Sequence, residues 1–166
     1  MGDMISSFSR YKSLTWLICV LMMAVLFTQC SSETTYFHQY KSVDIDGWNS
    51  EDTIVFHITP ASTNTVMNAE IGVRTTNAFI YNKLFLKGTL QCEGDDIVTD
   101  TLFVTIFDKK GVNLGDGLPY PLCTKAIPPI RMDSGKVYTY TITPLMQSSS
   151  VEGVKDVGLK LYFTDK

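Results

Sequence analysis

The chain has 166 residues, with 14 basic and 17 acidic side chains and a formal net charge of −3. A mildly acidic balance without a Lys/Arg cluster lacks the electrostatic footprint that nucleic-acid binding requires. The length suits one domain with a sizeable hydrophobic core.

The chain opens with Arg10 and Lys12 ahead of an apolar run from Leu14 to Phe27 that only Thr15 interrupts. The run falls short of the roughly 20 residues a bilayer-spanning helix needs. It is also too uniform to form one face of a globular helix. A modest positive region followed by a short apolar run reads as a secretory signal. It ends at Leu26-Phe27-Thr28-Gln29-Cys30, and a cysteine at that point is the mark of a bacterial lipoprotein signal. The thiol takes a diacylglycerol through a thioether, and cleavage follows just before it. Gln29 departs from the small residue usual there. The expectation is a signal peptide over 1–29, a lipidated tether over 30–35 starting at Cys30, and a single domain over 36–166. An ordinary cleaved signal or an uncleaved anchor are the alternatives. One acyl chain anchors only marginally, whereas two or three hold stably, so the lipid on Cys30 is the expected membrane contact.

Beyond the tether, period-two alternation dominates. Asp52–Thr59 places Ile54, Phe56 and Ile58 on one face, and Ala69–Arg74 places Ala69, Ile71 and Val73 on one face. Thr101–Asp108 is apolar on both faces, which predicts a central strand covered on both sides. Lys136–Thr143 and Asp156–Phe163 repeat the alternation. All are rich in Val, Ile, Thr, Tyr and Phe, as strands are. Turn signals lie at Asp46-Gly47, Lys87-Gly88, Glu93-Gly94-Asp95, Lys109-Lys110-Gly111 and Asp133-Ser134-Gly135. Asn77–Asn82 and Pro144–Val151 each have room for a turn of helix. Asn113–Arg131 holds Pro119, Pro121, Pro128 and Pro129, and reads as a long crossover or an edge, because proline removes a ladder donor. The fold class expected is all-β: an antiparallel β-sandwich of about seven or eight strands, immunoglobulin-like or jelly-roll-like.

Two cysteines remain after the tether, Cys92 and Cys123. In an oxidising compartment an even number favours a disulfide. A loop of that length is worth roughly 3.5 kcal/mol in the chain-entropy model. Two separate buried thiols are the other reading. His38 and His57 have no partners at metal-ligand spacing, and His57 alternates out of phase with its apolar neighbours, toward solvent. No nucleophile elbow occurs. Asp95, Asp96 and Asp100 flank a turn and read as a solvated loop, with a calcium or acid/base site as the alternative. Asp108–Gly117 resembles a calcium loop only briefly, because Lys110 and Val112 occupy ligand positions. No enzyme activity, metal, cofactor or small-molecule substrate is therefore expected. Trp48, Tyr81 and Tyr120 fall at strand ends or in loops, where aromatics stack on sugars, anchor a protein partner or plug the ends of a sandwich. Arg74, inside an apolar strand, is either a buried organiser or a docking charge. Trp48, Arg74 and Tyr81 are the partner-contact candidates.

The order of these motifs carries a resemblance. Cys30 is followed by Tyr36 and Tyr40, the pair Gly47-Trp48, "DTIVFHI", and "NAEIGVRTTNAFIYNKLFL" with Arg74, Tyr81, Asn82 and Leu84. "DTLFVTIFDKKG" comes next, then "GKVYTYTITPLMQSSSVEGVKDVGLKL" with Met146, Gly153, Val157 and Gly158. Over nearly its whole mature length the chain resembles the GldH family of gliding-motility lipoproteins of Bacteroidota. The resemblance implies a periplasm-facing lipoprotein of the cell envelope, on the inner or outer membrane. It also implies partners in gliding and in the type IX secretion apparatus, and no catalytic residues. A surface glycan-binding lipoprotein is the alternative function.

Overall fold

The computed structural model describes residues 33–44, 46–60, 64–92 and 97–164, and Trp16 besides. Cys30, Asp95, Asp96 and all of the leader but Trp16 lie outside the described residues. Residues Glu33–Thr164 form one compact unit.

Alternating side chains in this unit become ten strands: β1 (Glu33–Ser42), β2 (Trp48–Asn49), β3 (Ile54–Ile58), β4 (Thr65–Thr75), β5 (Lys83–Cys92), β6 (Val98–Thr105), β7 (Leu122–Met132), β8 (Tyr138–Pro144), β9 (Ser150–Val151) and β10 (Val154–Thr164). One sheet has the order β1-β10-β4-β7 and the facing sheet β3-β8-β5-β6, while β2 and β9 form a separate two-stranded ladder. Every pairing is antiparallel. From β3 to β4, β4 to β5, β6 to β7, β7 to β8 and β8 to β10 the chain changes sheet. That interleaving of two four-stranded antiparallel sheets is the jelly roll. Of the two sandwich types expected, the jelly roll is the one that forms.

The core follows from period two. Ile71, Val73, Leu159 and Leu161 on one sheet face Leu84, Leu86, Phe56 and Ile142 on the other, all fully buried. Burying each such side chain contributes on the order of 2 kcal/mol, the main favourable term in the sandwich.

Four expectations are corrected here. β6 lies at a sheet edge and not at its centre. Its outward Phe103 is apolar because it packs on Phe85 at 5.9 Å and lies under the Lys83 ammonium at 4.3 Å. Residues 33–35, expected in the tether, are already strand, with Glu33 opposite Thr164. Lys87-Gly88 is no turn but the middle of β5, where the Tyr140 hydroxyl occupies the space a Gly88 side chain would fill. Asn77–Asn82 and Pro144–Val151 contain bends and turns without helix. Of the two readings for Asn113–Arg131, the edge holds for its second half, since β7 is the last strand of its sheet.

The cysteines lie near opposite ends of β7, Cys123 within it and Cys92 at the end of β5. Cys123 is the second residue of β7, whereas Cys92 pairs with Tyr138, whose hydroxyl accepts from the Asp133 amide just past Met132. The length of β7 between them corresponds to about 30 Å. A disulfide needs Cα atoms within about 7 Å, so the expected Cys92–Cys123 bridge does not form. Two separate buried thiols is the arrangement present.

Candidate functional site

β1 starts at one end of the sandwich, beside the last residue of β10, and runs to the other end. That second end gathers the loops after β1, β4, β6 and β8. The β2–β9 ladder closes it, pairing Trp48 with Val151.

Trp48 is 2% exposed and donates its indole N–H to the Asp52 carbonyl at 3.0 Å. It is a core residue that plugs this end, which corrects its assignment as a partner contact. Gly47 ahead of it turns with φ +112°. The ring thereby enters the interior from a two-residue strand too short to show a period.

At this end lies a cavity of about 460 Å³ whose lining includes Asp44, Asp46, Ala78, Tyr120, Glu152 and Lys155. The Lys155 ammonium sits 5.5 Å from the centre of the Tyr120 ring. A smaller depression of about 230 Å³ adjoins it through the shared Ala78 and Glu152 and reaches Ile80 and Tyr81. Tyr81 is half-buried, edge-on to Phe79 at 5.7 Å. The rim is apolar at two tips, Ile80 at 78% and Leu118 at 93% exposure. Both tips lie at the same end as the half-exposed Tyr120. Tyr120 and Tyr81 were legible in the sequence as loop aromatics. Leu118 and Ile80 were not, because no pattern separates an exposed loop apolar residue from a buried one.

Arg74 lies one row below, on the outer face of the β1-β10-β4-β7 sheet. Ser42, Asp156, Arg74 and Leu122 stand in register across its four strands. The Arg74 guanidinium meets both Asp156 oxygens, at 3.1 and 3.3 Å, and covers the Tyr40 ring at 4.1 Å. Tyr40 in turn lies flat over Gly158 and Gly72, its neighbours in register, where a Cβ on Gly158 would stand 2.5 Å from the ring. Burial raises the Tyr40 phenol above its ordinary pKa, and the Arg74 charge opposes that rise. The sheet arginine thus organises the face and keeps a part-exposed edge toward solvent.

Elsewhere, Asp108 closes its own turn. Its carboxylate accepts from the amides of Lys110 and Val112 at 2.7 and 2.8 Å. The turn expected at Lys109-Lys110-Gly111 is thus formed. His38 and His57 sit on strands of different sheets, and His57 is exposed as its phase predicts. Among the described residues no group of three or more His, Cys, Asp or Glu side chains is arranged to hold a metal ion, and no helix is long and apolar enough to cross a membrane. Burial pushes the Cys123 thiol up, with Asp116 adding to it, which makes it a poor nucleophile.

The described domain is thus a jelly roll with apolar tips and aromatics at one loop end. A profile of the GldH lipoprotein family matches residues 35–161. The chain belongs to that family and is a gliding-motility-associated lipoprotein. No curated protein sequence matches it. Among solved structures it is similar to Eiger TNF from S. frugiperda (9% identity, 83% of this chain and 96% of that chain, TM-score 0.33). It is also similar to a chain of infectious bursal disease virus, Gx strain (13% identity, 82% of this chain and 34% of that chain, TM-score 0.32).

Proposed function

We propose that the protein is a non-enzymatic interaction component of the gliding and type IX secretion machinery. In this reading residues 1–29 are removed, Cys30 carries the lipid, and the domain faces the periplasm from the inner or outer membrane. The observation that carries it is the polarity of β1. The strand leaves the anchor side at Glu33 and ends at the loop surface bearing Leu118, Ile80, Tyr120 and Tyr81. Ten strand residues correspond to about 33 Å, so the contact surface points away from the anchored end. Its partners are other envelope or secretion-machinery proteins. Trp, Tyr and Arg are the usual interface anchors. With Trp48 buried, the contact set becomes Arg74, Tyr81, Tyr120 and Leu118.

The test is crosslinking in the native envelope with Leu118→Asp and Tyr120→Ala variants. Recovery of gliding or secretion proteins, lost in the variants at unchanged melting temperature, supports the reading. Unchanged recovery sinks it. The alternative reading, capture of a surface glycan, has one observation in its favour: Tyr120 stands among Asp44, Asp46 and Glu152 at a concave site. Polysaccharide binding abolished by Tyr120→Ala, together with protease sensitivity on intact cells, would establish it instead.

A further inference from the structure

The four sheet edges of the sandwich are not equally protected. β3 has five residues, and β1 carries a bulge between Thr35 and Phe37. β7 holds Pro128 and Pro129, which lack amide donors, and its pairing with β4 breaks register at Met67/Ala69. Short strands, bulges and prolines are the devices that keep a sheet edge from recruiting another chain. β6 has none of them. It runs eight residues in unbroken register with β5 and contains no proline and no lysine.

A gap lies directly behind this edge. Leu102 and Val104 on β6 point into the core, and by period two Val98 and Asp100 share their face. Yet Val98 is 62% exposed, and the preceding Ile97 is 59% exposed. The two sheets part here into a groove of about 410 Å³ between β6 and β7, walled by Leu90, Val98, Ile127, Pro129 and Ile130, with Tyr140 among its lining. Gly88, in register with Asp100, contributes no side chain to fill it. The Asp100 carboxylate borders the groove and makes no hydrogen bond or ion pair with another described residue.

We propose that β6 accepts an extended segment of an envelope protein by strand addition. The segment's inward side chains are apolar and fill the groove, and one lysine or arginine among them meets Asp100. Backbone pairing supplies affinity in such a mode, and pockets for alternate side chains supply specificity. The occupant is a foreign strand and not a second copy. A second copy of β6 has no lysine or arginine to offer Asp100, because full antiparallel overlap about a two-fold axis would set Asp100 opposite Phe103. The proposal deepens the interaction role above and rests on it.

The experiment places the photocrosslinker benzoylphenylalanine at position 97 or at position 118 of the full chain in its native envelope. The expected result is an adduct from position 97. Peptide mapping should place it in an extended segment of alternating apolar residues with a lysine or arginine. The adduct should fall by about tenfold or more in Asp100→Lys and in Val98→Lys, whose melting temperatures stay unchanged. Hydrogen exchange of the β6 amides should slow when the mapped segment is added as a synthetic peptide. Adducts from position 118 alone overturn strand addition and leave the interaction role standing. Adducts from neither site overturn both. Adducts from position 97 to lipid, to a second copy of this chain or to a helical segment overturn the proposal.

Discussion

Gly153 and Gly135 provide a matched pair for separating two costs that are usually confounded. Both adopt left-handed backbone, with φ +81° and +79°. At Gly135 an added methyl meets nothing within 4 Å. At Gly153, in the turn between β9 and β10, it would run into the Phe79 amide nitrogen, with Phe79 Cα at 2.5 Å and the Ala78 carbonyl carbon at 2.6 Å. Both alanine substitutions bear the left-handed strain, about 1 kcal/mol. Only Gly153→Ala must also push two backbone segments apart. That movement breaks the 2.8 Å bond from the Thr76 amide to the Gly153 carbonyl, worth about 1 kcal/mol. Overpacking against main chain adds about 1–3 kcal/mol. The expected losses are about 1 kcal/mol for Gly135→Ala and 3–5 kcal/mol for Gly153→Ala, and domains of this kind hold only 5–15 kcal/mol in total. Urea unfolding of the chain starting at Glu33 reads this directly, because Trp48 is then the sole tryptophan and is buried. Equal losses for the two variants, within about 0.5 kcal/mol, would refute the reasoning and with it the close packing that shapes the loop-end cavity.

Burial, and secondarily the Asp100 charge, push the Tyr140 phenol up to about 12. A pKa raised in the folded state means stability that is complete below pH 10 and is lost as pH climbs from 10 toward 12. Alkaline unfolding should therefore sharpen in that window, and Tyr140→Phe should flatten it in a pH series of urea midpoints. Trp48→Ala should cost about 3–5 kcal/mol in urea unfolding, as for a buried tryptophan; a surface-like loss would restore Trp48 as a contact residue. Arg74→Ala should lower stability by about 1–2 kcal/mol in urea unfolding, since it strands a largely buried Asp156 and uncovers the Tyr40 ring. Non-reducing peptide mapping should find Cys92 and Cys123 unlinked, with alkylation of Cys123 slow until the chain unfolds.

Strand legibility tracked which faces are wet. β3, β4, β8 and β10 alternate cleanly because one face of each meets the core. β5 was hidden because Lys87-Gly88 carries a turn signature. Its glycine is there to admit the Tyr140 hydroxyl, a cross-strand demand invisible to a local reading. β6 misled in the opposite direction, since Phe103 is apolar yet outward, sheltered by Phe85 and two lysines. For the proposed contact surface, residue type singled out Tyr81, Tyr120 and Arg74 as candidates and included Trp48, which is buried. Whether a loop aromatic points in or out depends on the turn before it, and the short β2–β9 ladder decides that by a long-range pairing.

A lipid on Cys30 would confine the domain to a thin layer, and confinement raises the effective concentration of any partner in the same membrane. Contacts then need specificity more than strength. The loop end offers shape and two apolar tips, and under the strand-addition proposal the β6 edge would offer directional backbone pairing beside the Asp100 carboxylate. The two lie at different ends of the sandwich, because Val98 starts β6 near the Cys92–Tyr138 row, close to where β1 begins. A partner strand on β6 would therefore sit near the anchored end while the loop surface stays open. One anchored copy can then bridge a membrane-proximal segment to a second protein further out, which a scaffold must do and a simple lectin need not.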